Sequence, residues 1–361
     1  MLKKIPISAP YVTGRDLLFS LKGLFNSDKA KMSLKQSITS VYDPEFIFLL
    51  NSGIACFLVI LESLKRLSDK KEVIVPAYTA GSLVAAIQKA GLKPVLCDVS
   101  LRDFNMSLDS LPKLVSENTL CVVGVHLFAM AAYNLNEIKE QFPDIYLIED
   151  CAQSMGSKID DQYVGNVGDV SFFSLNRGKN FSTYGGGFII TDQEKLAAVI
   201  KDTIFDLHLK RANFSDSIRS FFKMLILNLV VNSYVYAALY FLLFRFKEVA
   251  VPTDIEVADY SNLQAQAASI FLRRFKDLSE IRYNNGMRII EGLKGVEGII
   301  LPQIADNTKP AFNRLPLVFK DTEKRDQIEE ALSRAGIETS RMYIKPLHEM
   351  FNLGYQKDEL P

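Results

Sequence analysis

Short apolar runs recur through the first half of the chain, each separated from the next by a stretch with helical spacing. They read FIFLL from Phe46, VIVP ending at Pro76, PVLCDV ending at Val99, TLCVVGVHLF from Thr119, IYLI ending at Ile148, VSFFSL ending at Leu175 and FIIT from Phe188. The spacing predicts a helix opened by Ser52 and Gly53, another from about Gly81 to Ala90, and a third around Leu135 to Phe142. Strand and helix patterns alternating in this way imply βαβ units and a mostly parallel sheet, an α/β fold.

Beyond this region the pattern changes. From Ser261 towards Leu293, apolar residues at Leu263, Ala267, Ile270, Phe271, Phe275 and Leu278 follow three- and four-residue steps, the period of a helix. RLPLVF then reads as a strand, TEKRDQIEEALSRAGIET as a helix, and SRMYIKPLHEM closes a smaller α+β unit. The expected division is a large domain over residues 1–250 and a small C-terminal domain over 251–361, with an apolar helical segment at 221–246. That segment contains no charge from Met224 to Phe244, and Lys223, Arg245 and Lys247 flank it. By length it could cross a bilayer. Asn228, Asn232 and Ser233 interrupt it, however, and a crossing is excluded topologically if both flanks build one fold. A buried helical hairpin, a partner contact and attachment to a membrane surface remain as readings.

Composition narrows the class. The chain has 361 residues, 48% of them hydrophobic, and a formal net charge of +0. It is long enough for a large domain and a smaller one, and too apolar to be disordered. Balanced charge gives no basis for a nucleic-acid partner. Cys56, Cys97, Cys121 and Cys151 are widely spaced within or beside apolar runs, which reads as buried thiols in a reducing compartment, not as a zinc site or disulfide framework. The basic N-terminus lacks the apolar core of a signal peptide, so the expected location is cytoplasmic.

The candidate chemistry lies between Ile148 and Gly187. IYLI delivers Glu149 and Asp150 to the end of a strand, and VSFFSL is followed by Asn176, Arg177, Gly178 and Lys179. Open α/β sheets bind ligands at the carboxyl ends of their strands. An acid and a lysine at two such ends suit pyridoxal 5'-phosphate, which needs an amine for a Schiff base and a carboxylate to keep its pyridine nitrogen protonated. Lys179 and Asp150 are the catalytic candidates.

These residues sit within a longer set of motifs: NSGIA from Asn51, VPAYT from Val75, AGLKPVLCDV from Ala90, VHLFA from Val125, IEDCAQSMG from Ile148, GDVSFFSLNRGKN from Gly168, GGG before FIIT, and SNLQAQAA from Ser261. In this order they resemble the sugar aminotransferases of the DegT/DnrJ/EryC1/StrS family, over roughly Tyr42 to His348. The resemblance implies the aspartate aminotransferase fold, type I. It implies that Ser174 holds the cofactor phosphate with the amides of Ile54 and Ala55, and that Gln153 contacts the ring substituents. Ile54 stands where the family offers a threonine. Ala80 takes the place of the stacking aromatic, with Tyr78 as a substitute. Val257, Ala258 and Asp259 replace a loop whose asparagine reaches the partner subunit. Gly185, Gly186 and Gly187 would admit the backbone beside the ligand.

The activity implied is transfer of an amino group from an amino acid, glutamate by resemblance, to a nucleotide-linked keto-sugar, in a homodimer serving cell-surface polysaccharide or glycoconjugate synthesis. Related sugar dehydratases carry histidine where Lys179 stands, so the lysine favours transamination. A catalytically altered regulator or membrane-associated scaffold is the alternative, resting on Ile54, Ala80 and the missing asparagine. His126 reads as a packed core residue in preference to a catalytic one.

Overall fold

The computed structural model describes residues 3–7, 12–25, 27–210, 212–244, 254–356 and 359–360. The apolar runs become one seven-stranded sheet: β1 (Phe46–Leu50), β2 (Glu72–Pro76), β3 (Lys93–Cys97), β4 (Thr119–Val125), β5 (Tyr146–Asp150), β6 (Val170–Ser174) and β7 (Gly187–Thr191), in the order β1-β7-β6-β5-β4-β2-β3. Neighbours from β6 to β3 are parallel, and β7 runs antiparallel to both β6 and β1. The runs are apolar throughout because both faces are covered. Phe172 and Ile189 point to the side occupied by helix Gly53–Leu64, where Phe172 meets Phe57 at 5.2 Å. Phe173 and Phe188 point to the other side and stack at 4.4 Å beneath Tyr42.

The predicted helices form at Gly53–Leu64, Gly81–Lys89 and Leu135–Gln141. The long periodic stretch after Ser261 is broken once, into Asn262–Phe271 and Phe275–Leu293, by a 3-10 turn at Leu272–Arg274. Helix Asn262–Phe271 packs on Gly14–Ser20 and Ser27–Tyr42, so the chain beyond residue 250 returns to the sheet's far face. RLPLVF pairs only at Val318–Phe319, against Ile299–Ile300. Pro316 has no N–H to give a ladder, which keeps the strand from starting earlier. A final segment lies back over the first half of the chain: the Leu347 N–H donates to the Ala77 carbonyl at 2.8 Å, and the Leu96 N–H to Tyr355 Oη at 2.9 Å.

The uncharged segment is not one helix. Phe214–Val230 and Ser233–Phe244 meet at 89°, and no single helix among the described residues is long and apolar enough to cross a membrane. Asn232 makes the break: its side-chain oxygen accepts from the N–H groups of Tyr234 and Val235, which starts the second helix afresh. The pair is not a buried hairpin either, since Phe222, Ile226, Leu229 and Tyr234 stand exposed.

Candidate active site

Four chain segments converge at the carboxyl edge of the sheet. β1 runs through Ser52 into helix Gly53–Leu64, whose start Ser52 caps by accepting from the Ala55 N–H at 3.1 Å. The helix's first N–H groups have no intrahelical partner and carry partial positive charge. With Ala55 engaged by the cap and buried Gly53 drawn against Gly186 by the bridge between Ser52 and Gly186, the amide of half-buried Ile54 is the one left to face a ligand. Ser174, at the end of β6, is the neighbour of this turn. A Cβ on Gly53 would fall 2.7 Å from that of Ser174, so only glycine lets helix and strand come this close.

Asp150 ends β5, nearly buried, with Oδ1 accepting from the Ala152 N–H at 2.9 Å. Burial raises its pKa, while the Ala152 bond and the charge of Lys179 pull the other way. Burial likewise draws the Lys179 ammonium down to about 8, with Asp150 opposing this and Arg314 adding to it. Lys179 and Asp150 therefore share one electrostatic environment. No direct ion pair joins them.

Gln153 reaches from the turn after β5 and donates through Nε2 to Tyr343 Oη at 2.8 Å. Its Oε1 is buried without a partner, as is Thr79 Oγ1 beyond β2. Tyr78 is held edge-on to Tyr343 at 5.6 Å, and its hydroxyl donates to the Met342 carbonyl at 2.5 Å. Ala80, half-buried, is the N-cap of helix Gly81–Lys89. The candidate residues Lys179, Asp150, Gln153, Ser174, Ile54, Ala55, Tyr78 and Ala80 thus lie on strand ends, loops and a helix start along the same sheet edge.

Two side chains at this edge escape a reading of the sequence. Tyr343 is half-buried in the site with Asp150 among its charged neighbours, on a backbone with φ of 52°. Arg314 lies beside the lysine loop, with one guanidinium nitrogen 3.7 Å from where a Cβ on Gly178 would sit. Its Nε is buried and unpartnered, and burial lowers its pKa. Both come from the C-terminal part of the chain, where periodicity identifies elements but not what they touch. The one available signal was an arginine and a tyrosine beside otherwise apolar stretches.

Other expectations resolve differently. His126 is fully buried: the Ala132 N–H donates to Nδ1, so Nε2 carries the proton and donates to Glu149 Oε2 at 2.9 Å. Glu149 also accepts from the N–H groups of Gly165, Val167 and Gly168. Burial would raise its pKa, but these donors outweigh burial and hold it below the usual range. Cys151 lies close to this pair, yet the ligand atoms of His126 and Glu149 are already hydrogen-bonded, so the group is a structural knot. The triple glycine admits protein instead of ligand: a Cβ on Gly186, at φ of 94°, would sit 1.9 Å from the Tyr260 ring. Ala258 pairs with Asn51 through its carbonyl and its N–H, and Asp259 pairs with Lys31, all within the same chain.

A lysine of lowered pKa beside a buried acid, outside the carboxyl ends of parallel strands, places the chain among α/β proteins with an enzyme-like site at the sheet edge. The chain belongs to the DegT/DnrJ/EryC1/StrS aminotransferase family, whose model matches residues 28–224 and 256–360. An uncharacterized protein of Methanocaldococcus jannaschii is 28% identical over 88% of this chain and 77% of its own length. The UDP-N-acetyl-3-dehydro-alpha-D-glucosamine 3-aminotransferase of Acidithiobacillus ferrooxidans is 32% identical over 40% of each chain. Among solved structures, DesI in the presence of its TDP-sugar product superposes with a TM-score of 0.76 at 19% identity, covering 100% of this chain and 85% of that one. The likeness in structure shows a shared fold.

Proposed function

We propose that this chain is a pyridoxal 5'-phosphate-dependent aminotransferase that carries an amino group from an amino acid to a nucleotide-linked keto-sugar. The observation that carries this reading is the placement of Lys179, lowered to about 8, within electrostatic reach of buried Asp150 at the same sheet edge. A relative named as a UDP-sugar aminotransferase supports the substrate class. The residues fit the cofactor, since Gln153 Oε1 and Thr79 Oγ1 are buried acceptors that no protein donor satisfies.

When bound, the cofactor supplies a protonated pyridine ring that stabilises negative charge on the amino-bearing carbon. Asp150 would hold the proton on the ring nitrogen, and Ser174 with the amide of Ile54 would hold the phosphate. Lys179 with a pKa of about 8 keeps roughly a tenth of its amine neutral at pH 7, enough to attack a carbonyl and then move a proton at the substrate carbon. Arg314, a guanidinium with a buried, unpartnered nitrogen beside Lys179, is the seat for the donor's carboxylate. Glutamate as donor, a homodimer, a cytoplasmic location and a role in surface polysaccharide synthesis complete the proposal, supported by the sequence resemblance.

Spectroscopy on the purified protein supplied with pyridoxal phosphate tests it. The expected result is a yellow absorbance band that glutamate bleaches and that Lys179→Ala removes. A band indifferent to every amino acid, or unchanged in the variant, would overturn the assignment.

A further inference from the structure

Residues 225–255 fall between the two segments that the family model matches. The last third of helix Phe214–Val230 and all of Ser233–Phe244 therefore stand outside the family's common pattern. One side of the first helix is fixed to the protein: Met224 and Ser217 are buried, and the Lys223 ammonium donates to the Tyr184 carbonyl at 2.8 Å. The other side presents Phe222, Ile226 and Leu229, 54%, 56% and 57% exposed, at four- and three-residue steps. Exposed Arg219 precedes them on the same stripe. The second helix adds Tyr234, Val235 and Leu239.

Helix Gly14–Ser20 packs on Phe214–Val230 and contributes exposed Leu18 and Phe19, with Phe25 just beyond. Two cations lie over the Phe19 ring, Arg15 at 5.4 Å and Lys22 at 5.0 Å. The neighbouring acids are occupied elsewhere: Asp16 by Arg274 and the Thr13 cap, Asp216 by the Asn213 cap. The result is an apolar face of aromatic and aliphatic side chains interleaved with exposed arginine and lysine. A second copy of the same face would bring these cations together, whereas an anionic surface complements them. The 89° bend at Asn232 lets the pair lie along a surface without crossing it.

We propose that this face rests in the headgroup region of an anionic phospholipid bilayer, anchored by Phe222, Ile226 and Leu229 and held by Arg15, Lys22 and Arg219. The assignment is independent of the aminotransferase reading.

Sedimentation of the full chain, loaded with pyridoxal phosphate, against phosphatidylcholine vesicles with and without an equal share of phosphatidylglycerol tests it. The parent should pellet with the mixed vesicles far more than with phosphatidylcholine alone. Arg15→Gln, Lys22→Gln and Arg219→Gln together should weaken that binding about a hundredfold, roughly fivefold for each charge. Phe222→Ser, Ile226→Ser and Leu229→Ser together should abolish pelleting with both vesicle types while leaving the circular dichroism spectrum of the folded parent. The proposal is overturned if the parent stays in the supernatant, or if the charge variants pellet like the parent. It is also overturned if the serine variants lower the oligomeric state in lipid-free buffer, which would show that a second copy covers the face.

Discussion

Lys179 should cost the cofactor-free protein stability, and replacing it with methionine should return that stability at neutral pH. The amine titrates near 8 in the fold because burial disfavours its charge, and near 10.4 in an unfolded chain. Full burial would make the cost about 3 kcal/mol, at roughly 1.4 kcal/mol for each pH unit between those values. The side chain is only half-buried, and screening by water brings the expected cost to about 1–2 kcal/mol. The sign follows from proton binding: between pH 8 and 10.4 the unfolded chain holds more protons than the folded one, so stability rises with pH. Lys179→Met lacks this titration and keeps the apolar stem. Its advantage should be complete below pH 8, shrink through pH 9, and vanish near 10.4. Urea unfolding of both cofactor-free proteins from pH 7 to 10.5 measures it. A constant difference across that range, or a less stable variant at pH 7, would refute the electrostatic account.

Glu149→Gln should lower stability by about 3–5 kcal/mol in thermal unfolding, because an amide cannot accept everything that His126, Gly165, Val167 and Gly168 donate to the buried carboxylate. Gly186→Ala should cost about 3 kcal/mol or more by urea unfolding, combining a collision with the Tyr260 ring and a left-handed backbone. Arg314→Leu should raise KM for the amino donor about 10- to 100-fold, the worth of a charged hydrogen bond, and leave KM for the keto-sugar unchanged.

The sheet was legible because every strand is continuously apolar and short, and because Gly53 and Asp150 punctuate the ends of β1 and β5 in the expected places. Lys179 and Asp150 could be paired in advance because each lies at or just past the end of a neighbouring strand. What periodicity could not convey was long-range contact. Gly186 looked like a ligand-side turn until Tyr260 was seen to occupy the space. Arg314 and Tyr343 gave no local pattern at all, since their significance lies in meeting loops far earlier in the chain. The uncharged run read as one unit by composition, whereas a single asparagine side chain, satisfying two N–H groups, split it into two helices.

All four cysteines are free and buried, and burial pushes the Cys97 thiol up to about 12 and raises the other three as well. A thiolate is the reactive form, so maleimide reagents should find the native molecule almost inert. A cysteine placed at Phe222 or Tyr234 would then be the sole handle for a fluorophore, and the chain can carry a site-specific label without first removing any of its own sulfur.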